Sequence, residues 1–138
     1  MSPSLSGTWE LVEFVSRDPD GTETAPFGAA IGRLMYDAHG NMAGQIMQPA
    51  REPVGRGGDA PAQAYAAYAG YIAYFGTYVV DEERQIVTHH VAGSINPALV
   101  GSSQLRRMRF DGDQLILEAD FRTSRGVVVQ TLTWQRRS

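Results

Sequence analysis

The residues with the clearest capacity for chemistry lie in two stretches, IVTHHVA at 86–92 and LRRMRF at 105–110. Both alternate with the period of a β-strand, so neighbouring side chains point to opposite faces. In the first, His89 shares its face with Val87 and Val91, and His90 falls on the more polar face. In the second, Arg106 shares a face with Met108 and Phe110. An inward histidine could move a proton near neutral pH. An inward arginine cannot shed its charge and needs a carboxylate, carbonyl groups, water or an anionic ligand.

The same alternation places other polar groups inside. Tyr36 travels with Leu34, Tyr78 with Val80, and Gln130 with Val128, Leu132 and Trp134. In GTWELVEFV, taking Trp9 and Leu11 inward takes Glu13 inward as well, where it could serve as the counter-ion of Arg106. The expected site is therefore His89 and Tyr78 as catalytic candidates. Arg106, Tyr36, Glu13, Gln130, Met108, Trp9 and Trp134 are the ligand-binding candidates.

Ordinary readings compete with each of these. A core histidine hydrogen-bonded to a tyrosine or a carbonyl is favoured over a general base at His89. Arg106 is balanced between a ligand clamp and a structural ion pair. Trp9 and Trp134 read as a plug where the first and last strands meet. No metal site is expected: with three histidines and no cysteine, His39 lies in a turn while His89 and His90 point apart. No cofactor is expected either. VGRGGD lacks the strand and the GK[ST] of a phosphate loop, and GSSQL lacks a nucleophile elbow.

The elements that must position these residues are mostly strands. A first strand is expected at about 7–16, followed by the loop RDPDGTETAPFGA. A hairpin spans about 31–48 around the turn AHGN. PAREPVGRGGDAP breaks the pattern, and an alanine-rich helix is expected at about 61–71, with Tyr65, Tyr68 and Ile72 on one face. Tyr65, Tyr68 and Tyr71 either line a lid over the mouth or belong to a helix simply packed on the barrel, and packing is favoured. Strands then follow in FGTYVVD, IVTHHVAGSI, GSSQLRRMRFD, QLILEADF and GVVVQTLTWQRR, with a tight turn at the DGD of 111–113. About eight antiparallel strands with one short helix point to an up-and-down barrel, because closure removes exposed edges. A two-sheet sandwich is the alternative.

The chain of 138 residues suits one domain, 1–138. Its net charge of −3 argues against a nucleic-acid partner. The start MSPSLSGTWEL shows no leader pattern, and no apolar run approaches a membrane span. A soluble cytoplasmic protein without a membrane partner is the expectation, and a homodimer accords with base rates for soluble oligomers.

GTWELVEF, GRLMYDAHGNMAGQIM, AYFGTYVVD, IVTHHVAGSINPALVG, QLRRMRFDGDQLIL and LTWQRR, in that order, resemble the bacterial and fungal lipocalin-like domain family over most of positions 5 to 137. THHV followed by NP, VG and an arginine-bearing strand is the most specific part. The resemblance implies a calycin-type barrel with a ligand-sized cavity. It marks Trp9, Tyr36, Tyr78, His89, Arg106 and Trp134 as characteristic positions without giving them roles. Some members are encoded near enzymes of small-molecule metabolism. Glu13 departs from the serine usual at its position. Three functions compete on this scaffold. The first is binding of a small apolar or aromatic ligand with an acidic or polar end. The second is a cofactor-independent isomerase, cyclase or dehydratase in the same cavity. The third is a filled barrel acting as an interaction module.

Overall fold

The computed structural model describes residues 4–138. They form a closed antiparallel barrel of eight strands, extended by one very short strand and accompanied by one helix. The strands are β1 (Gly7–Arg17), β2 (Glu23–Thr24), β3 (Ile31–Tyr36), β4 (Asn41–Met47), β5 (Tyr71–Asp81), β6 (Ile86–Ser94), β7 (Ser103–Asp111), β8 (Gln114–Thr123) and β9 (Gly126–Arg136). From β3 to β9 each strand pairs with the next in sequence. β1 pairs with β3 on one side and β9 on the other, and β2 only extends the far end of β1. The β1–β9 ladder decides between barrel and sandwich. It leaves no exposed edge along β9, and the meander needs no crossover.

The β3–β4 hairpin turns where Asp37 Oδ1 accepts from the backbone N–H groups of His39 and Asn41, both at 2.8 Å. Gly40 follows at φ +88°, a backbone conformation that glycine adopts without strain. The helix α1 runs over Ala60–Ala69, begins with Asp59 accepting from the Ala62 N–H, and stops at Gly70. β5 therefore starts at Tyr71, three residues before the sequence pattern alone suggests, because Tyr71 already pairs with Met47. No residue of α1 is buried, and Tyr65 is 72 % exposed. The helix buries no face on the barrel and lines none of its cavity, contrary to both expectations for Tyr65 and Tyr68, while Tyr71 lies on β5. It is tied at its C-terminal end, where Arg51 donates to the Ala67 carbonyl and stacks on the Tyr71 ring.

Two bulges set which residues face inward. Between Leu11 and Glu13 the β1–β9 register slips, so Val12 is the extra residue. Trp9 and Leu11 point in before the bulge, and Phe14 and Ser16 point in after it, all four buried. A bulge inserts one unpaired residue and so reverses the alternation downstream. Glu13 is consequently exposed, and its expected inward position is corrected. The second bulge, opposite Phe75 and Gly76, makes Ala92 the extra residue on β6. Gly76 faces Val91 there, and a Cβ on it would run into the His90 carbonyl.

One end of the barrel is closed by aromatic packing. Trp9 is fully buried (0 % exposed), and Leu5 and Leu115 are buried in the same cluster with Phe110 against it. The Trp9 indole N–H donates to the Leu5 carbonyl at 2.9 Å. Arg136 lies over the Trp9 ring, 4.1 Å from its centroid, and donates to the Ser6 carbonyl at 3.0 Å. The terminal segment is thereby strapped across the bottom. At the other end, Phe27 from the β2–β3 connection meets Phe14 edge-on, with ring centroids 5.5 Å apart.

Candidate functional site

Between these ends lies a cavity of about 90 Å³. Its walls are mostly apolar and come from nearly every strand: Phe14, Leu34, Met42, Ile46, Ile72, Leu117, Leu132 and Trp134. The polar side chains on its surface include Tyr74, His89, Arg106 and Gln130. The volume is about that of three waters in the liquid, and smaller than the ~300 Å³ at which drug-sized pockets begin. It suits a compact molecule of few non-hydrogen atoms.

His89 is the centre of the polar cluster and only 2 % exposed. Val87 and Val91 are buried beside it, so β6 turns one strongly apolar face inward and carries the imidazole with it. Both ring nitrogens are occupied. The Tyr36 hydroxyl lies 2.6 Å from Nε2 and the Tyr74 hydroxyl 2.6 Å from Nδ1. Burial, then the charge of Arg106, then His90 hold the His89 pKa down to about 3. The imidazole is therefore neutral at pH 7 and is a hydrogen-bonded core histidine. Burial raises Tyr36 well above the ordinary tyrosine value, with a further upward push from Tyr74, and burial raises Tyr74 as well. All three groups are uncharged at neutral pH.

Arg106 is half-buried on β7 and lines the cavity. Its guanidinium donates to the carbonyl of its neighbour Leu105 at 2.9 Å. Among the described residues no carboxylate pairs with it, whereas Arg107 on the opposite face pairs with both Glu118 and Asp120. The ion pair with Glu13 does not form, because the β1 bulge turns Glu13 to solvent. Trp134 lines the cavity, and its buried indole Nε1 has no hydrogen-bond partner among the described residues.

The remaining candidates lie around the cavity rather than on it. Tyr36 is buried behind His89. Tyr78 packs edge-on against Tyr36, but its hydroxyl donates to the Asp37 carbonyl in the β3–β4 turn at 2.7 Å, away from the cavity. Met108 is core, and Trp9 belongs to the closed end. Tyr74 is the site residue that strand reading passed over. Its signal is parity: it lies four residues before Tyr78, so the two share a face of β5. Among the described residues no cluster of histidine, aspartate and glutamate is placed to hold a metal ion. No described helix is long and apolar enough to cross a membrane.

A closed eight-stranded meander with an internal cavity places the chain among the calycin-type barrels, an architecture suited to holding small molecules. More narrowly, the model of the lipocalin-like domain family matches residues 6–137, and the chain belongs to that family. A search of curated proteins and one of solved structures found no match.

Proposed function

We propose that the protein binds a small, largely apolar molecule with an acidic or polar end inside its barrel. The observation that carries this reading is the unpaired, half-buried guanidinium of Arg106 on the wall of an apolar cavity. A charge in such a place is costly unless something of opposite sign or strong polarity meets it. A ligand with a polar end supplies that partner, while the apolar walls take its body.

The state of His89 favours binding over acid–base catalysis on the same scaffold. A general base needs a free lone pair aimed at the substrate and a pKa near the working pH. His89 has both nitrogens engaged by tyrosines and a pKa near 3. The Tyr36 hydroxyl has no side-chain partner but His89 among the described residues to pass a proton to. The triad is built to hold an orientation.

The test is a small-molecule screen followed by 15N and 13C NMR. The expected result is ligand-induced shifts centred on Tyr74, Leu132 and Trp134, lost when Leu132→Trp fills the cavity. Shifts confined to the outer barrel surface, or none in the screen, would overturn the reading.

A further inference from the structure

The donors and acceptors that reach the cavity can be assigned. A neutral imidazole carries one N–H and one acceptor nitrogen. Two proton arrangements fit the Tyr36–His89–Tyr74 chain. In one, Tyr74 donates to Nδ1 and Nε2–H donates to Tyr36. The Tyr36 hydroxyl proton is then left over in a buried place where its only side-chain partner is His89. An orphaned buried donor is strongly disfavoured. In the other, the Tyr36 hydroxyl donates to Nε2 and Nδ1–H donates to the Tyr74 oxygen. The spare proton is then that of Tyr74, which lines the cavity.

With that assignment, two residues on the cavity wall carry donors for a ligand, the Tyr74 hydroxyl and the Arg106 guanidinium, while the Trp134 indole N–H lies buried behind the wall. Gln130 carries a donor and an acceptor and can turn either inward. Trp134 Nε1 is the one buried side-chain nitrogen or oxygen without a partner among the described residues. A hydroxyl donor beside one fixed positive charge calls for an acceptor-rich group with a single negative charge. A doubly charged phosphate would leave net charge in an apolar space, and an ammonium group would meet like charge and no fixed acceptor.

We infer that the cavity is a carboxylate site: a small monocarboxylate places its oxygens against Tyr74 and Arg106 and its short apolar body against Phe14, Leu117, Leu132 and the Trp134 ring. This rests on the ligand-binding reading above and names its ligand class. Tyr74 becomes a ligand-contacting residue, and Tyr36 and His89 become positioning residues that fix the direction of its proton.

Two measurements test it. The first uses the unmodified protein without ligand and reads the His89 ring nitrogens by long-range 15N–1H NMR. A protonated Nδ1 is expected, and a protonated Nε2 overturns the assignment. The second titrates isobutyrate, isobutanol and isobutylamine at pH 7 while following the Trp134 indole N–H resonance. Isobutyrate should bind at least about tenfold tighter than isobutanol, as expected for a charge-assisted hydrogen bond, and isobutylamine weakest of all. Tyr74→Phe and Arg106→Leu should each erase most of that preference, weakening isobutyrate far more than isobutanol. If isobutanol or isobutylamine equals isobutyrate, the cavity still binds ligands and the carboxylate assignment alone is wrong. If none of the three moves the Trp134 resonance, the ligand reading fails and the assignment with it.

Discussion

The closed end of the barrel and its cavity half use the same strands but dispose of polar groups in opposite ways. At the closed end, Trp9 satisfies its indole N–H on the Leu5 carbonyl and is capped by Arg136, whose donors reach the Ser6 carbonyl and that of Ser4. In the cavity half, Trp134 leaves its indole N–H unpartnered and Arg106 has no carboxylate. Two tryptophans and two arginines thus stand in different states within one interior. A group satisfied by its own chain contributes to stability. A group on the cavity wall left unsatisfied by the fold, as Arg106 is, is available to a ligand.

That contrast can be broken at several points. The largest effect expected is on acid stability. His89 is held near pKa 3 in the fold against about 6.5 when unfolded. Between those values the unfolded chain takes up a proton that the folded chain refuses, so stability falls as pH falls through that window. At about 1.4 kcal/mol per pH unit the loss approaches about 5 kcal/mol once the pH has fallen below 3. Urea unfolding across pH 3–7 should show that slope, and His89→Gln should flatten it. An unchanged slope in the variant would place the acid sensitivity elsewhere.

Next in size is the plug. Trp9→Ala should cost about 3–5 kcal/mol, as for other large-to-small changes of a buried aromatic. Isobutyrate binding by whatever fraction remains folded should survive. A loss under about 1 kcal/mol would mean the closed end is not the mechanical base it resembles.

Smaller still is Tyr36→Phe, which leaves one His89 nitrogen without its partner and should cost about 1–3 kcal/mol. Tyr78→Phe, which removes a bond to the accessible Asp37 carbonyl, should cost less, about 0.5–1.5 kcal/mol. Equal losses in denaturant midpoints would erase the distinction between a buried triad and a peripheral turn contact.

The smallest effect concerns Glu13. With its side chain in solvent, Glu13→Gln and Arg106→Leu should add within about 0.5 kcal/mol. A larger coupling in the double-mutant cycle would restore an ion pair between them and remove the free cation on which the contrast depends.

Much of the barrel is legible in the strand pattern. Val87, His89 and Val91, the hairpin around Gly40, and the Leu115–Leu117–Ala119 face all follow from alternation with one buried side. Glu13 does not, because a one-residue bulge inverts everything after it, and strict alternation carries no mark of where a bulge falls. The alanine helix is legible as a helix, but its lack of a buried face is not. Alanine and tyrosine at helical spacing favour the element without saying what it packs on.

The candidate site divides in the same way. That His89 and Arg106 face inward follows from the valines and from Met108 and Phe110 on their strands. That His89 is clamped by two tyrosines does not, since Tyr36 on β3 reaches His89 on β6 only across the closed interior, and Tyr74 reaches it from the neighbouring β5 across a bulged register.

Local pattern fixes which face of a strand is apolar, because the energy of burial is decided residue by residue. Barrel closure decides which polar groups meet, because strand register and bulges set the distances between residues far apart in sequence. The identity of most inward groups, His89 and Arg106 among them, was therefore determined by the sequence alone, except where a bulge inverted the alternation at Glu13. Their pairing was decided only by the tertiary structure: Tyr36 and Tyr74 joined to His89, and Arg106 and Trp134 left open.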